Sequence, residues 1–358
     1  MTSETYKRAV VLKTYCTKKK KKKIEALILA YRSAVNFYLK HENLKLDKVH
    51  LSLLQGTNLS ERYKSNALKQ AISIQKSFFN KNKNKNKTVS FKFTGNPILD
   101  AKFVDIQVGS NSFDLWIKLS TLAKGKKILI PSKKHKRFNY WQAKGKLIQG
   151  CELHVDKIIV WFEVETTYKQ GNAVGIDLGM NKLIATSDGN FIGDKFKDII
   201  DKITRKRRGS KNYKQALAER DNYINHCVNR LPWDIYGILF YENLKNMKKG
   251  KSKKRSRKFR NRQQYWTYRK VINRIVEKSV ENRVRSHFVD PRYTSQCCPS
   301  CGHIAASNRV NEKFCCLTCG YKQDADFVGA TNILRKGQDW TSSVESLDSK
   351  GNICYDFT

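Results

Sequence analysis

Acids are scarce in this chain: 31 Asp and Glu stand against 71 Lys and Arg, a formal net charge of +40. From Lys245 to Val276 there is no acidic residue at all. Such a charge repels itself unless a polyanion answers it. Nucleic acid is the expected partner, because counterion release from phosphates drives binding by many Lys and Arg. Long apolar runs are missing too, as is any basic amphipathic helix with an exposed apolar face, so an acidic membrane surface is the weaker rival. The opening MTSETYKRAVV lacks the hydrophobic segment of a secretory signal. The expectation is an intracellular protein with its ten cysteines reduced. Hydrophobic residues still make up 40% of the 358, which suits a folded chain of two or three domains.

Along the chain, Tyr6 to Cys16 reads as a first strand. Ile24, Leu27, Ile28, Tyr31, Val35 and Tyr38 then recur at helical spacing, and a second helical pattern covers roughly Ser60 to Phe79. The lysine run Lys18 to Lys23 suits either phosphate contact, a targeting signal or a solvated helix start. After the low-complexity NKNKNKNK near Asn80 the pattern changes to short strands: FVDIQV, FDLWIKL, KKILIP, KLIQGCELHV and KIIVWFEVE. Their spacing predicts a small barrel or sandwich. The segment KKHKRFNYW, with Phe138, Tyr140 and Trp141, is either a base-stacking loop or ordinary core.

From Gly171 the order is strand, hairpin at Asp188-Gly189, strand, helix, strand, helix. That is the order of an α/β RNase H-like domain, whose use is metal-ion phosphodiester chemistry. Magnesium wants hard oxygen ligands, and two ions about 3.5–4 Å apart can activate a water and stabilise the leaving oxygen. Three acids occupy suitable places. Asp177 lies in the apolar VGIDLG, where an unpaired acid is costly. Glu242 follows the apolar GILFY. Asp326 opens the last helix, where the dipole tolerates a carboxylate. Each alone suits a cap or a salt bridge; the three in this order suit a Mg²⁺ site. Asp324 competes with Asp326 and fits an N-cap better. The acid-free stretch begins as a basic loop and becomes a helix. Its candidates for nucleic-acid contact are Lys248, Lys249, Lys253, Lys254, Arg255, Arg257, Arg260 and Arg262. The tail after Lys336 has little pattern and is expected to be mobile.

Six cysteines crowd between Thr294 and Asp326, which points to metal rather than disulfides. Cys298-Pro-Ser-Cys301 and Cys316-Leu-Thr-Cys319 are two knuckles, each followed by glycine, with fourteen residues between them. Four thiolates suit a closed tetrahedral structural Zn²⁺ site. Cys297 and Cys315 sit one residue early and are read as free thiols; His303 is read as a bystander. Redox activity is a poor rival, because nothing thioredoxin-like surrounds the pairs.

The order GIDLG, FYENL, RYTSQ-C-CxxCG…CxxCGY and DADFVGATNIL resembles the TnpB (OrfB) proteins of bacterial insertion sequences, relatives of compact type V CRISPR effectors. RKFRNRQQYWTYRKVINRIVEKS and YRSAVNFYL look like the same family. The resemblance covers most of the chain and is most specific in its C-terminal half. It implies an RNA-guided DNA endonuclease that carries a guide RNA from the transposon end. Such an enzyme cuts double-stranded target DNA beside a short adjacent motif, in one RuvC-type site. It implies a wedge-like β-barrel from residues 1–17 and 88–170, with residues 18–87 as a helical recognition lobe. Residues 171–296 and 321–336 would be the RuvC nuclease, with a zinc ribbon at 297–320 and a tail at 337–358. Carried over, the catalytic acids are Asp177, Glu242 and Asp326. A prokaryotic cytoplasm, at the nucleoid, is the implied location (the nucleus for a eukaryotic relative), and a monomer is favoured. One departure stands out: many members have Asn-Ala-Ala where this chain has Val328-Gly329-Ala330. The alternatives are a non-cutting RNA-guided repressor, against which the intact acids argue, and a DNA transposase with an RNase H-like core, against which the late zinc ribbon and the family match argue.

Overall fold

The structure is a computed structural model that describes residues 4–41, 43–81, 92–109, 112–122, 125–244 and 256–347, with the side chains of 79–81, 257–258 and 340–347 outside that description. The chain forms two compact units, Ser3–Glu165 and, from Thr166, the remainder.

In the first unit, β1 (Glu4–Lys13) leads to α1 (Lys18–Tyr38), α2 (Lys48–Ser52) and α3 (Glu61–Lys81). The six residues expected on one helical face are all buried in α1. The lysine run forms its first turns behind a Thr17 cap whose hydroxyl accepts from the Lys20 amide at 3.4 Å. Strands β2 (Ile98–Asp100), β3 (Val104–Val108), β4 (Leu115–Ser120) and β5 (Lys127–Ser132) follow. Then come α4 (Lys136–Gln142), β6 (Lys146–Leu153) and β7 (Lys157–Thr166). They make one sheet ordered β1-β7-β6-β2 and another ordered β3-β4-β5. Residues from α1, α3 and both sheets belong to a single hydrophobic cluster, with Tyr63 of α3 stacked on Phe103 at 4.5 Å. Helices and strands thus share one core here. The expected KKHKRFNYW loop is helical at Lys136–Gln142, with Phe138 and Trp141 buried and Tyr140 47% exposed. Two of its three aromatics are therefore core.

The second unit is built on β8 (Asn172–Asp177), β9 (Ile184–Thr186), β10 (Phe191–Ile192), α5 (Phe196–Thr204), α6 (Lys211–Asn229) and β11 (Tyr236–Glu242). It continues through α7 (Arg257–Tyr265), α8 (Tyr268–Glu281) and β12 (Arg285–Val289). A small sheet of β13 (Arg309–Val310), β14 (Lys313–Cys315) and β15 (Lys322–Asp324) precedes α9 (Ala325–Leu347). The main sheet is ordered β10-β9-β8-β11-β12, with β8, β11 and β12 parallel and β9 antiparallel to both its neighbours. The element order is the one expected of an RNase H-like domain. Val174, Ile176, Leu239 and Tyr241 pack with α5, α6 and α8. Side chains alternate along strands, so Ala173, Ile238 and Phe240 face the other way, against Ile333 and Leu334 of α9. Helix α9 continues to Leu347, past the point where a patternless tail was expected; residues 348–358 lie outside the described residues. Among the described residues no helix is long and apolar enough to cross a membrane.

Candidate metal and nuclease centre

Alternation that turns Ala173 and Gly175 toward α9 also turns Asp177 there, and the 238, 240, 242 series brings Glu242 to the same face. Ile176 pairs with Tyr241 across the parallel strands, so Asp177 and Glu242 follow side by side at the strand ends. In open α/β sheets that carboxyl edge is where ligands collect. Helix α9 lies against it closely. At Gly175 an added Cβ would overlap the Ala330 carbonyl, and at Gly329 it would sit 2.9 Å from Asp177 Oδ2. Asp326, one turn before Gly329, completes the group from the first turn of α9.

Asp177 feels both of the other carboxylates. Burial first, then the charges of Glu242 and Asp326, push Asp177 up to about 8, against the pull of Arg309 and the Leu178 amide. Burial also raises Glu242, opposed by the Thr294 hydroxyl and by Lys336 and Arg309. Buried Thr294 donates to Glu242 and fixes one oxygen. Arg309 Nη2 donates to Asp326 Oδ1 at 2.8 Å, while its Nε holds the Asn311 carbonyl at 3.1 Å. Asp324 is a cap, as its spacing suggested. Its Oδ1 accepts from the amides of Asp326 and Phe327 at 3.0 and 3.2 Å, and its other oxygen pairs with Lys182. Burial opposes ionisation of Asp324, but Lys182 and those amides hold it below the usual carboxylate range. A cleft of about 270 Å³ opens beside Asp326, lined by Gly179, Lys197, Phe259, Arg262 and Arg309 among others.

The four expected cysteines also meet. Sγ atoms of Cys298, Cys301, Cys316 and Cys319 all lie within 4.8 Å of one another, the one His, Cys, Asp or Glu set that tight among the described residues. Cys298 and Cys319 are 3.6 Å apart and Cys301 and Cys316 3.5 Å, near the roughly 3.8 Å edge of a tetrahedron with about 2.3 Å Zn–S bonds. The set fits a tetrahedral soft-metal ion. Gly302 and Gly320 take φ of 76° and 71°, and their amides return to the Cys298 and Cys316 carbonyls. Amides at Cys319 and Thr318 pull Cys316 down to about 6, while burial raises Cys298 and, against the pull of the His303 amide, the neighbouring thiols raise Cys301. Cys297 Sγ turns instead to the Gly302 carbonyl at 3.6 Å, and His303 reaches Asn308. The three carboxylates are not drawn as tightly as the thiols, and their oxygen donors suit hard ions spread over a wider site.

Of the expected nucleic-acid contacts, Lys248, Lys249, Lys253, Lys254 and Arg255 lie outside the described residues, as does the side chain of Arg257. Arg260 is exposed. Arg262 is engaged within the fold: its guanidinium forms a bidentate pair with Asp201 of α5, which raises its pKa. Three contributors escaped sequence reading. Thr294 and Arg309 act across 52 and 17 residues of chain. Buried Asn332 donates to the Thr294 and Cys297 carbonyls at 2.8 and 2.7 Å, tying α9 to the start of the cysteine loop.

Residues 268–333 match the family described as Cas12f1-like, TNB domain. Over 71 residues the chain is 41% identical to the CRISPR-associated endodeoxyribonuclease Cas12f1 of Sulfoacidibacillus thermotolerans, covering 20% of this chain and 17% of that one. Over 234 residues it is 28% identical to InsQ of Escherichia coli K12, a candidate RNA-guided DNA endonuclease, covering 56% and 58%. A TnpB-like protein of Aquifex aeolicus is 35% identical over 100 residues, covering 26% and 31%. The aligned part of this chain therefore spans between 17% and 58% of these relatives' lengths. The resemblance to TnpB proteins and compact Cas12f effectors is shown by these matches.

Proposed function

We propose that this chain is an RNA-guided DNA endonuclease of the TnpB type. It cuts target DNA beside a short adjacent motif by phosphodiester hydrolysis in one RuvC-like site. One observation carries the reading: three carboxylates from β8, β11 and α9 gather at the carboxyl end of the parallel strands, where burial first, and then the charges of Glu242 and Asp326, lift Asp177 to about 8. Acids held together at such cost suit a site built for cations. In a chain of +40 net charge, acids gathered there are not general solvation.

Asp177, Glu242 and Asp326 would hold the Mg²⁺, two ions suiting the reaction. Bound there, the metal supplies an activated water and stabilisation of the leaving oxygen. The protein's own residues position the ligands. The Thr294 hydroxyl orients Glu242, Asp324 caps the turn that carries Asp326, and bare Gly329 leaves Asp177 its place. Arg309 offsets part of the negative charge from the zinc-ribbon side. Zn²⁺ in the four cysteines orders that ribbon. In this reading the first unit supplies the wedge and recognition surfaces, and the segment around Lys248–Arg260 holds nucleic acid. The guide RNA and double-stranded target DNA are the partners.

The test is cleavage of a guide-matched plasmid with Mg²⁺, using the protein with its copurified RNA. Asp177→Ala is expected to abolish cutting and keep RNA binding. A variant that still cut at the wild-type rate would remove the acids from the mechanism. Tight target binding by the wild type with no cleavage in any divalent metal would make the protein a binder instead.

A further inference from the structure

The three-stranded β3-β4-β5 sheet has a face that its core does not use. Along β4, Leu115, Ile117 and Leu119 are fully buried, so Trp116 and Lys118 project from the other side. Across the ladder Trp116 lies between Gln107 and Pro131, and Lys118 between Asp105 and Leu129, the last 42% exposed. Phe113 enters this face just before β4, its ring 5.7 Å from Trp116. Tyr15, 42% exposed, places its ring 5.4 Å from Phe113, and its amide is fixed on the Pro131 carbonyl at 2.9 Å. Three rings thus form a continuous row from just past β1 to β4, Tyr15 tilted 44° to Phe113 and Phe113 edge-on at 79° to Trp116. Cations lie over one face of two rings: Lys13 Nζ is 5.4 Å from the Tyr15 ring centroid and Lys133 Nζ 5.9 Å from that of Phe113. Lys20 of α1 bonds the Leu129 carbonyl at 2.7 Å, which brings the lysine run to the same edge. The nearby acids are engaged. Asp105 accepts from Gln107 at 2.8 Å, and Asp114 from the Lys134 amide at 2.9 Å.

We propose that this face is a stacking ledge for unpaired bases of a single-stranded nucleic acid, with Tyr15, Phe113 and Trp116 as the platform and Lys13 and Lys133 meeting the phosphates. It rests on nucleic acid being the partner of this basic chain and deepens that reading. Partly exposed rings among lysines are costly to leave in water and suited to a ligand with alternating π faces and charges. Nucleobases stack on aromatic rings whatever their sequence, and adjacent cations follow the backbone. Duplex bases are already stacked, so the ledge selects single strands. The same chemistry serves RNA and DNA. It also moves base stacking away from KKHKRFNYW, whose Phe138 and Trp141 are core.

The experiment uses the full chain and fluorescein-labelled oligouridine and oligothymidine of about 20 nucleotides, beside a duplex of equal length, read by anisotropy. Phe113→Ala and Trp116→Ala are each expected to weaken both single-strand probes roughly tenfold and to change duplex binding less than about twofold. Trp116→Phe keeps a ring and should retain most of the affinity, and matching unfolding curves establish that the variants are folded. Lys13→Gln should reduce the salt slope by about one. Unequal losses on uridine and thymidine assign the ledge to RNA or DNA. Wild-type affinity in both alanine variants, or equal loss on duplex, overturns the ledge while leaving nucleic-acid binding intact. A change in sedimentation of Trp116→Ala without loss of binding makes the face a protein contact and overturns it as well. Failure of the wild type to hold any probe overturns both the ledge and the reading beneath it.

Discussion

Single residues around the carboxylates work within narrow tolerances. Gly329 is the clearest case. Alanine there gains about 1 kcal/mol of helix propensity, but its Cβ would stand 2.9 Å from Asp177 Oδ2. The flexible group that must give way is the carboxylate itself. Many members of the family it resembles carry alanine at this position, so the carboxylate end can yield: Gly329→Ala is expected to leave stability within about 1 kcal/mol of wild type and to lower cleavage less than about threefold. A tenfold or greater loss would show that Asp177 has no room to yield in this chain. From sequence, Val328-Gly329 reads as a departure from a family pattern; in the fold, the glycine leaves room beside Asp177 Oδ2. Asp177 and Glu242 themselves were legible, because acids closing apolar strands are conspicuous in a basic chain. Thr294, Arg309 and Asn332 were not, because polar residues in a loop or helix carry no sign of a partner far along the chain. A second residue-scale case concerns pH. Asp221 bonds Arg220 beside it and Lys270 of α8. Burial opposes its ionisation, yet Lys270 and Arg220 hold its pKa below the usual value. Its contribution is present above the unfolded pKa of about 3.9 and is lost as pH falls through the lower folded value. Asp221→Asn should thus cost about 0.5–1 kcal/mol in urea unfolding from pH 5 to 8. Below about pH 4 the difference should shrink. A difference constant with pH would rule out the ion pair as its source.

At the scale of elements, the cysteine loop and the acid site are joined both along the chain and through side chains. Asp326 lies two residues beyond the end of β15, and Arg309 of β13 bonds its carboxylate. Order in the ribbon therefore bears on the orientation of Asp326. Stripping zinc with a chelator and then restoring Mg²⁺ alone should raise hydrogen exchange across 297–324, leave protection in β8 and α6 unchanged, and depress cleavage. Retained cleavage after zinc loss, with Mg²⁺ present, would show that the ribbon does not hold the site. Losing the cap is a milder disturbance at the same junction. Asp324→Ala should cost about 1 kcal/mol, since two amides and Lys182 lose their acceptor. Helix and strand positions were readable from periodicity, as the six buried residues of α1 attest. What covers a buried face was not. α1 and α3 share a core with the strands after them, and α9 runs well past its last clear pattern.

For the whole molecule the dominant fact is charge, and it sets an expectation no single contact can. With 71 Lys and Arg against 31 acids, binding of RNA should release many counterions. Each neutralised phosphate contributes about −0.7 to −0.9 to the slope of log affinity against log salt. Six or more contacts then imply a loss of about a thousandfold between roughly 50 and 200 mM salt. The carboxylate centre should be nearly indifferent to this screening, since its charges are short-range and partly buried. The two dependences can be separated by measuring anisotropy of labelled guide RNA across salt, and single-turnover cleavage by preassembled complexes across the same range. Steep loss of binding with a shallow change in the cleavage step is the expected pair of results. Flat binding would mean that the positive charge serves something other than a polyanion. Cleavage falling in parallel within assembled complexes would place exposed cations, and not only the buried acids, at the rate-limiting step.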